Sequence, residues 1–226
     1  MSPSHAMSIV HAEASVARPG ASGYAFPQPA TTLSEVFAGN GRDVGGIGFA
    51  LSQSPRDAPL LWIQDRMSIL ETGRPFPSGL SHQFIHVEAR DAKAALWAME
   101  EGLRCSELGA VIGEIWSSPA ALDFTATRRL AVAAEAHGVP ATLILFGSQP
   151  NLSGARRRWH VASRPSLTHP HDDRAPGSPT WSLDLFRARG CQPGRWEAAY
   201  EEDRLRIFSE LRDGELASEH AFKLSA

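Results

Sequence analysis

The sequence predicts an α/β fold with a mainly parallel central sheet flanked by helices and extended by antiparallel strands toward the C-terminus. Three observations carry that prediction. Short, almost wholly apolar runs recur between residues 33 and 146, as strands buried on both faces of a parallel sheet require. Helical patterns alternate with them, the signature of repeated βαβ units. A glycine-rich turn follows the first run and leads into a helix start, Gly39-Asn40-Gly41-Arg42-Asp43-Val44-Gly45-Gly46.

In chain order, residues 1–30 hold prolines and glycines among small residues without a periodic apolar face, and read as a flexible arm. Order begins at Leu33-Ser34-Glu35-Val36-Phe37. The next strands are Leu60-Leu61-Trp62-Ile63-Gln64 and Phe84-Ile85-His86-Val87, with a Gly/Pro-rich loop from Glu71 to Ser81 between them. From Asp91 to Leu103, apolar residues at Ala94, Leu96, Ala98, Met99 and Leu103 follow a helical spacing. Ala110 to Ile115 is another buried strand. Asp123 caps a helix from Phe124 to His137, which Gly138 stops and Pro140 follows. Ala141 to Phe146 completes the series. Residues 31–200 are therefore read as one domain.

Beyond Phe146, Arg158–Ser163 and Trp181–Phe186 alternate polar and apolar residues like half-exposed strands, and Trp196–Tyr200 adds an edge strand. A loop rich in Pro, His and Asp, His169 to Pro179, separates the first two and is expected to be mobile. Residues 201–226 read as an acidic tail with a helical pattern.

Composition narrows the function classes. The 226 residues are 42% hydrophobic, enough for a core, and a net charge of −3 gives no global attraction to nucleic acid. Two distant cysteines, Cys105 and Cys191, match neither a metal nor a disulfide spacing, and fit a reducing cytoplasm. No apolar run is long enough to span a bilayer, and no signal peptide is read.

The glycine turn admits three readings. A phosphate loop needs a Lys and a Ser or Thr beside its glycines, but the only lysines are Lys93 and Lys223. Asp43 would also oppose a triphosphate. A dinucleotide loop is suggested by Gly39-x-Gly41-x-x-x-Gly45 with Asp65 after the next strand, although the third fingerprint glycine is missing. The favoured reading is a structural turn kept from a nucleotide-binding ancestor, so no catalysis and no cofactor are expected.

Other candidates are weaker. Glu114, near the end of a buried strand, could orient Mg²⁺ and water, but it has no lysine partner and reads as an acid at a solvent-facing strand end. His169, His171, Asp172 and Asp173 resemble metal ligands on a poorly preorganised loop. No Gly-x-Ser-x-Gly elbow is present. Arg156-Arg157-Arg158, with Arg164, Arg187, Arg189 and Arg195, forms either a partner or DNA contact or a solvated face paired with Glu201-Glu202-Asp203. Trp159, Trp181 and Trp196 read as core or interface aromatics.

Taken as a set, several segments resemble the inducible mutagenesis protein A family (ImuA, alphaproteobacterial type) of the RecA-like superfamily. They are Glu35-Val36-Phe37-Ala38, Leu61-Trp62-Ile63-Gln64-Asp65-Arg66, Ala95 through Cys105, Ala110-Val111-Ile112-Gly113-Glu114, Leu122 through Leu130 and Arg158 through Ser163. The resemblance covers about residues 31–200 and implies a RecA-like core with a degenerate Walker A loop. Gly39, Gly41, Arg42, Asp43, Gly45 and Gly46 match that loop without its Lys and hydroxyl. Glu114 matches the Walker B acid, and Gln149 falls near the γ-phosphate-sensing glutamine. The implied role is an accessory of SOS-induced, error-prone translesion synthesis in the cytoplasm. Its implied partners are the RecA recombinase, an inactive Y-family polymerase homologue and an error-prone C-family polymerase, with weak single-stranded DNA contact and no membrane. A nucleotide- or dinucleotide-dependent enzyme and an SOS cell-division inhibitor are the alternatives.

Overall fold

The computed structural model describes residues 26–172, 174–202 and 204–210. Among these, nine strands form one sheet in the order β3-β2-β4-β5-β1-β6-β7-β8-β9. In chain order the strands are β1 (Leu33–Ala38), β2 (Leu60–Asp65), β3 (Phe84–Ala89), β4 (Ala110–Trp116), β5 (Ala141–Phe146), β6 (Arg157–Arg164), β7 (Thr180–Ala188), β8 (Gly194–Glu201) and β9 (Arg204–Glu210). Four helices accompany them: α1 (Gly45–Ser52), α2 (Arg66–Thr72), α3 (Ala92–Gly102) and α4 (Phe124–His137).

The first six strands are parallel and the last three antiparallel, as expected, with one correction. The sequence places β6 with the antiparallel extension, but it runs parallel to β1, pairing Val36 with Trp159. Alternation reports which residues face the core, not the direction of the partner strand. Two further corrections concern the ends of the domain. Residues 204–210, read as helical, form β9 on β8, whereas residues 211–226 lie outside the described part. The expected arm also lies mostly outside it, but Phe26 packs on Trp159 and Trp196, with ring centroids 5.8 Å and 5.4 Å away.

Two apolar layers sandwich the sheet. α3 and α4 cover one face through Ala95, Leu96, Met99, Leu130, Ala131 and Ala134, all buried against Leu33, Phe37, Ile63 and Leu143. Phe49 of α1 covers the other face with Val36, Ile112, Ile144, Trp159, Trp181 and Trp196. The three tryptophans read as core aromatics are buried. Local chemistry sets the helix ends. Asp91 and Asp123 accept from the N–H groups of Ala94 and Ala126 at 2.8 Å and 2.7 Å. Gly138 stops α4 at φ 71°, in the left-handed region that favours glycine.

Candidate functional site: the glycine turn and its surroundings

The glycine turn joins the C-terminal end of β1 to α1, the position expected of a phosphate loop. Four of its backbone N–H groups, those of residues 39, 42, 43 and 45, have protein acceptors. The Gly39 N–H binds the Val161 carbonyl at 2.8 Å, the Arg42 N–H the Asn40 side-chain oxygen at 2.9 Å, and the Asp43 N–H the Asn40 carbonyl at 3.2 Å. The Gly45 N–H, at the start of α1, donates to Asp43 Oδ1 at 2.8 Å. The same carboxylate receives the Ser163 hydroxyl at 2.6 Å and the Ser163 N–H at 2.8 Å. A helix start attracts anions through its unpaired N–H groups and dipole, and here the anion is the protein's own Asp43.

Close packing accounts for several of the glycines. A Cβ at Gly45 would lie 2.5 Å from Ser163 Oγ, at Gly46 2.9 Å from Val36 Cγ1, and at Gly39 2.8 Å from the Ala162 Cβ. A Cβ at Gly41 would meet nothing nearer than 3.9 Å. Arg42 points outward and reaches Glu71 at 3.6 Å. Gln149 lies exposed after β5.

Glu114 differs from its sequence reading. It is fully buried, not solvent-facing, under the α2 side of the sheet. Its carboxylate accepts from Trp62 Nε1 at 2.5 Å, Gln64 Nε2 at 3.0 Å and Thr72 Oγ1 at 3.4 Å. His86 Nε2 sits 2.9 Å from Gln64 Oε1, so the network runs from β4 through β2 to β3. Burial pushes the Glu114 pKa up to about 7, with the Asp65 charge adding to the rise and the hydrogen bonds opposing it. With three side-chain donors and no exposure, this carboxylate is held as a hydrogen-bond acceptor inside the sheet.

Asp65, the acid of the dinucleotide reading, caps α2. Its Oδ1 accepts from the Ser68 N–H at 2.7 Å and its Oδ2 from the Trp116 N–H at 3.3 Å. In the histidine loop, His169 Nδ1 accepts from the His171 and Asp172 N–H groups, and a Thr168–Pro176 bridge closes the segment. Among the described residues no group of three His, Cys, Asp or Glu side chains is gathered to hold a metal. Both cysteines are free thiols.

The arginine triplet does not form one patch. Arg158 is buried, donating through Nε to Glu35 Oε2 at 2.7 Å and through Nη1 to the Asn151 carbonyl at 2.8 Å, over the rings of Phe37 and Phe186. Arg156 makes a two-point pair with Glu135 at 2.6 Å and 3.0 Å. Arg157 projects to the opposite face, where its Nη1 reaches the Gln28 carbonyl. Strand alternation separates consecutive side chains in this way. The alternative reading, a face paired with the acidic stretch, is not what these arginines form: Arg206 pairs with Glu201 and Glu202, and Arg195 with Asp184.

Protein ImuA from two strains of Caulobacter vibrioides is 31% identical to this chain over 180 residues, covering 72% of this chain and 70% of the relative. The chain belongs to the ImuA family. No family model matches it. Among the described residues no helix is long and apolar enough to cross a membrane.

In this ImuA-family chain, sequence reasoning missed the residues that define the turn's state. Ser163 lies 120 residues from Asp43, and no spacing rule connects them. Gln64, Trp62 and Thr72, which surround Glu114, were hidden for the same reason. The Gln64-Asp65 pair at the end of an otherwise apolar strand was the one available signal, since buried polar residues require partners.

Proposed function

We propose that this protein is a non-catalytic accessory of SOS-induced, error-prone translesion DNA synthesis. In this reading it has a RecA-like core and works in the cytoplasm by binding the RecA recombinase and an inactive Y-family polymerase homologue, alongside an error-prone C-family polymerase. The carrying observation is the closed glycine turn. Asp43 occupies the start of α1, and the N–H groups of residues 39, 42, 43 and 45 already have protein acceptors. A triphosphate there would meet a carboxylate, not a lysine. The burial of Glu114 and membership of the ImuA family support the same reading.

The test has two arms. The purified chain is assayed for ATP hydrolysis with and without single-stranded DNA, and an affinity-tagged copy is captured from DNA-damaged and undamaged cells. No turnover is expected, and mass spectrometry is expected to find the recombinase or the polymerase homologue in the capture. Turnover that disappears in Glu114→Ala, or a capture containing neither named partner, overturns the proposal.

A further inference from the structure

At the end of the sheet opposite the glycine turn, the chain enters β1 through Thr31 and Thr32, beside the start of β6 and the end of β7. An open cleft of about 300 Å³ lies there, lined by Thr31, Thr32, Glu135, Arg156, Arg157 and Arg189. β1 has six residues, which puts the cleft roughly 20 Å from the turn.

The arginines are held by backbone geometry. The Arg156 N–H binds the Leu33 carbonyl at 3.0 Å, and the Arg189 N–H binds the Arg156 carbonyl at 2.8 Å. Glu135 fixes the Arg156 guanidinium at two points and accepts the Thr32 hydroxyl at 3.1 Å. Hydrogen bonds from Arg156 hold the Glu135 carboxyl below its usual range, with smaller contributions from Thr32 and from the Arg156 and Arg189 charges. Among the described residues Arg157 and Arg189 have no carboxylate within ion-pair distance. Two guanidiniums, Arg156 and Arg189, against the one carboxylate of Glu135 leave the cleft with a formal charge of about +1.

The geometry points to a phosphodiester site: the cleft takes a backbone phosphate of single-stranded DNA, with Arg189 as the contacting fork and Arg156 as the fixed wall; Arg157 lines the cleft from the other face of β6, its Nη1 held by the Gln28 carbonyl. Arginine forks suit phosphate oxygens. An open cleft fits a strand passing across it better than an enclosed small anion. The chain's net charge of −3 repels a polyanion elsewhere, so the contact is local. One phosphate contact through Arg189 gives a salt slope of roughly −0.7 on single strands. The site rests on these charges; only the choice of DNA strand as ligand rests on the proposed role.

The experiment is fluorescence anisotropy of a labelled oligothymidylate of about 20 nucleotides with the full chain at about 50 mM salt, repeated at higher salt. The variant Arg189→Glu, at an exposed side chain, is compared with Arg104→Glu, which carries the same charge change elsewhere on the surface. The first is expected to weaken binding by about threefold or more and flatten the salt slope with an unchanged unfolding midpoint, while the second stays within about twofold. Equal affinity of the two variants overturns the site. So does equal competition, per charge, by polyglutamate or by inorganic phosphate. Partner capture with Arg189→Glu is read separately: its loss in a chain that still binds DNA would count against the proposed role alone.

Discussion

Asp43 and Ser163 form a two-point clamp, the serine N–H and hydroxyl both donating to one carboxylate that also holds the first N–H of α1. The clamp ties the glycine turn to β6 and places a negative charge where a nucleotide loop would place a phosphate. Asp43→Ala is expected to cost about 1–2 kcal/mol, because three donors lose their acceptor at a partly wetted site. Urea denaturation reads the cost. ATP–Mg²⁺ should shift the unfolding midpoint of neither the wild type nor the variant. A saturable shift in the wild type would show that the turn binds nucleotide despite the clamp.

The glycines of the turn separate into two kinds. Gly45→Ala would put a methyl group 2.5 Å from Ser163 Oγ and 3.0 Å from Trp181 Cδ1, and is expected to destabilise by about 1–3 kcal/mol. Gly41→Ala meets only Gly147 and Trp116 at 3.9 Å, and its φ lies outside the left-handed region, so its effect should stay within about 0.5 kcal/mol. Thermal or chemical unfolding of the two variants decides. The reverse order would mean that the turn is spaced for something other than packing.

The parallel half of the sheet was legible because strands buried on both faces must be apolar, as Leu143 through Phe146 are. α2 was not legible: seven residues beginning where β2 ends are too few for a helical period to show. β9 could have been read, since Leu205 and Ile207 alternate with exposed Arg204 and Arg206, but the acidic residues before it suggested a tail. The arginine triplet carried its own correction: once residues 157–164 are a strand, Arg157 and Arg158 must face opposite ways. The clamp and the Glu114 network join distant positions, which one sequence does not reveal.

Glu35 and Arg158 make the buried pair most sensitive to substitution. Their side chains are 1% and 4% exposed, and Ser153 also donates to Glu35. Arg158→Ala would leave the carboxylate buried without its cation, at an expected cost of about 3–5 kcal/mol. The pair is not ideal, because Arg158 Nη2 has no hydrogen-bond partner among the described residues. Glu35→Leu/Arg158→Met should therefore recover much of the loss in a double-mutant cycle followed by urea denaturation. Reversing all three arginines would unfold the chain through Arg158, so the binding test belongs at Arg189.

Glu114 should give the fold a pH dependence of unusual sign. A carboxyl with pKa about 7 in the folded chain and 4.5 as its reference binds more protons folded than unfolded between those values. Stability must then fall as pH rises from about 4.5 to about 7 and level off above it, by up to about 3 kcal/mol. His86 and His160, whose pKa values burial lowers, act oppositely: protonation favours the unfolded chain, so their contribution rises with pH through the region below 6.5. The difference between wild type and Glu114→Gln isolates the carboxyl. Urea midpoints measured from about pH 5 to 8 should converge at the acid end, where the wild-type side chain is also neutral, and separate in favour of Glu114→Gln above pH 7. Parallel midpoint curves would show that Glu114 is ionised throughout, held by Trp62, Gln64 and Thr72.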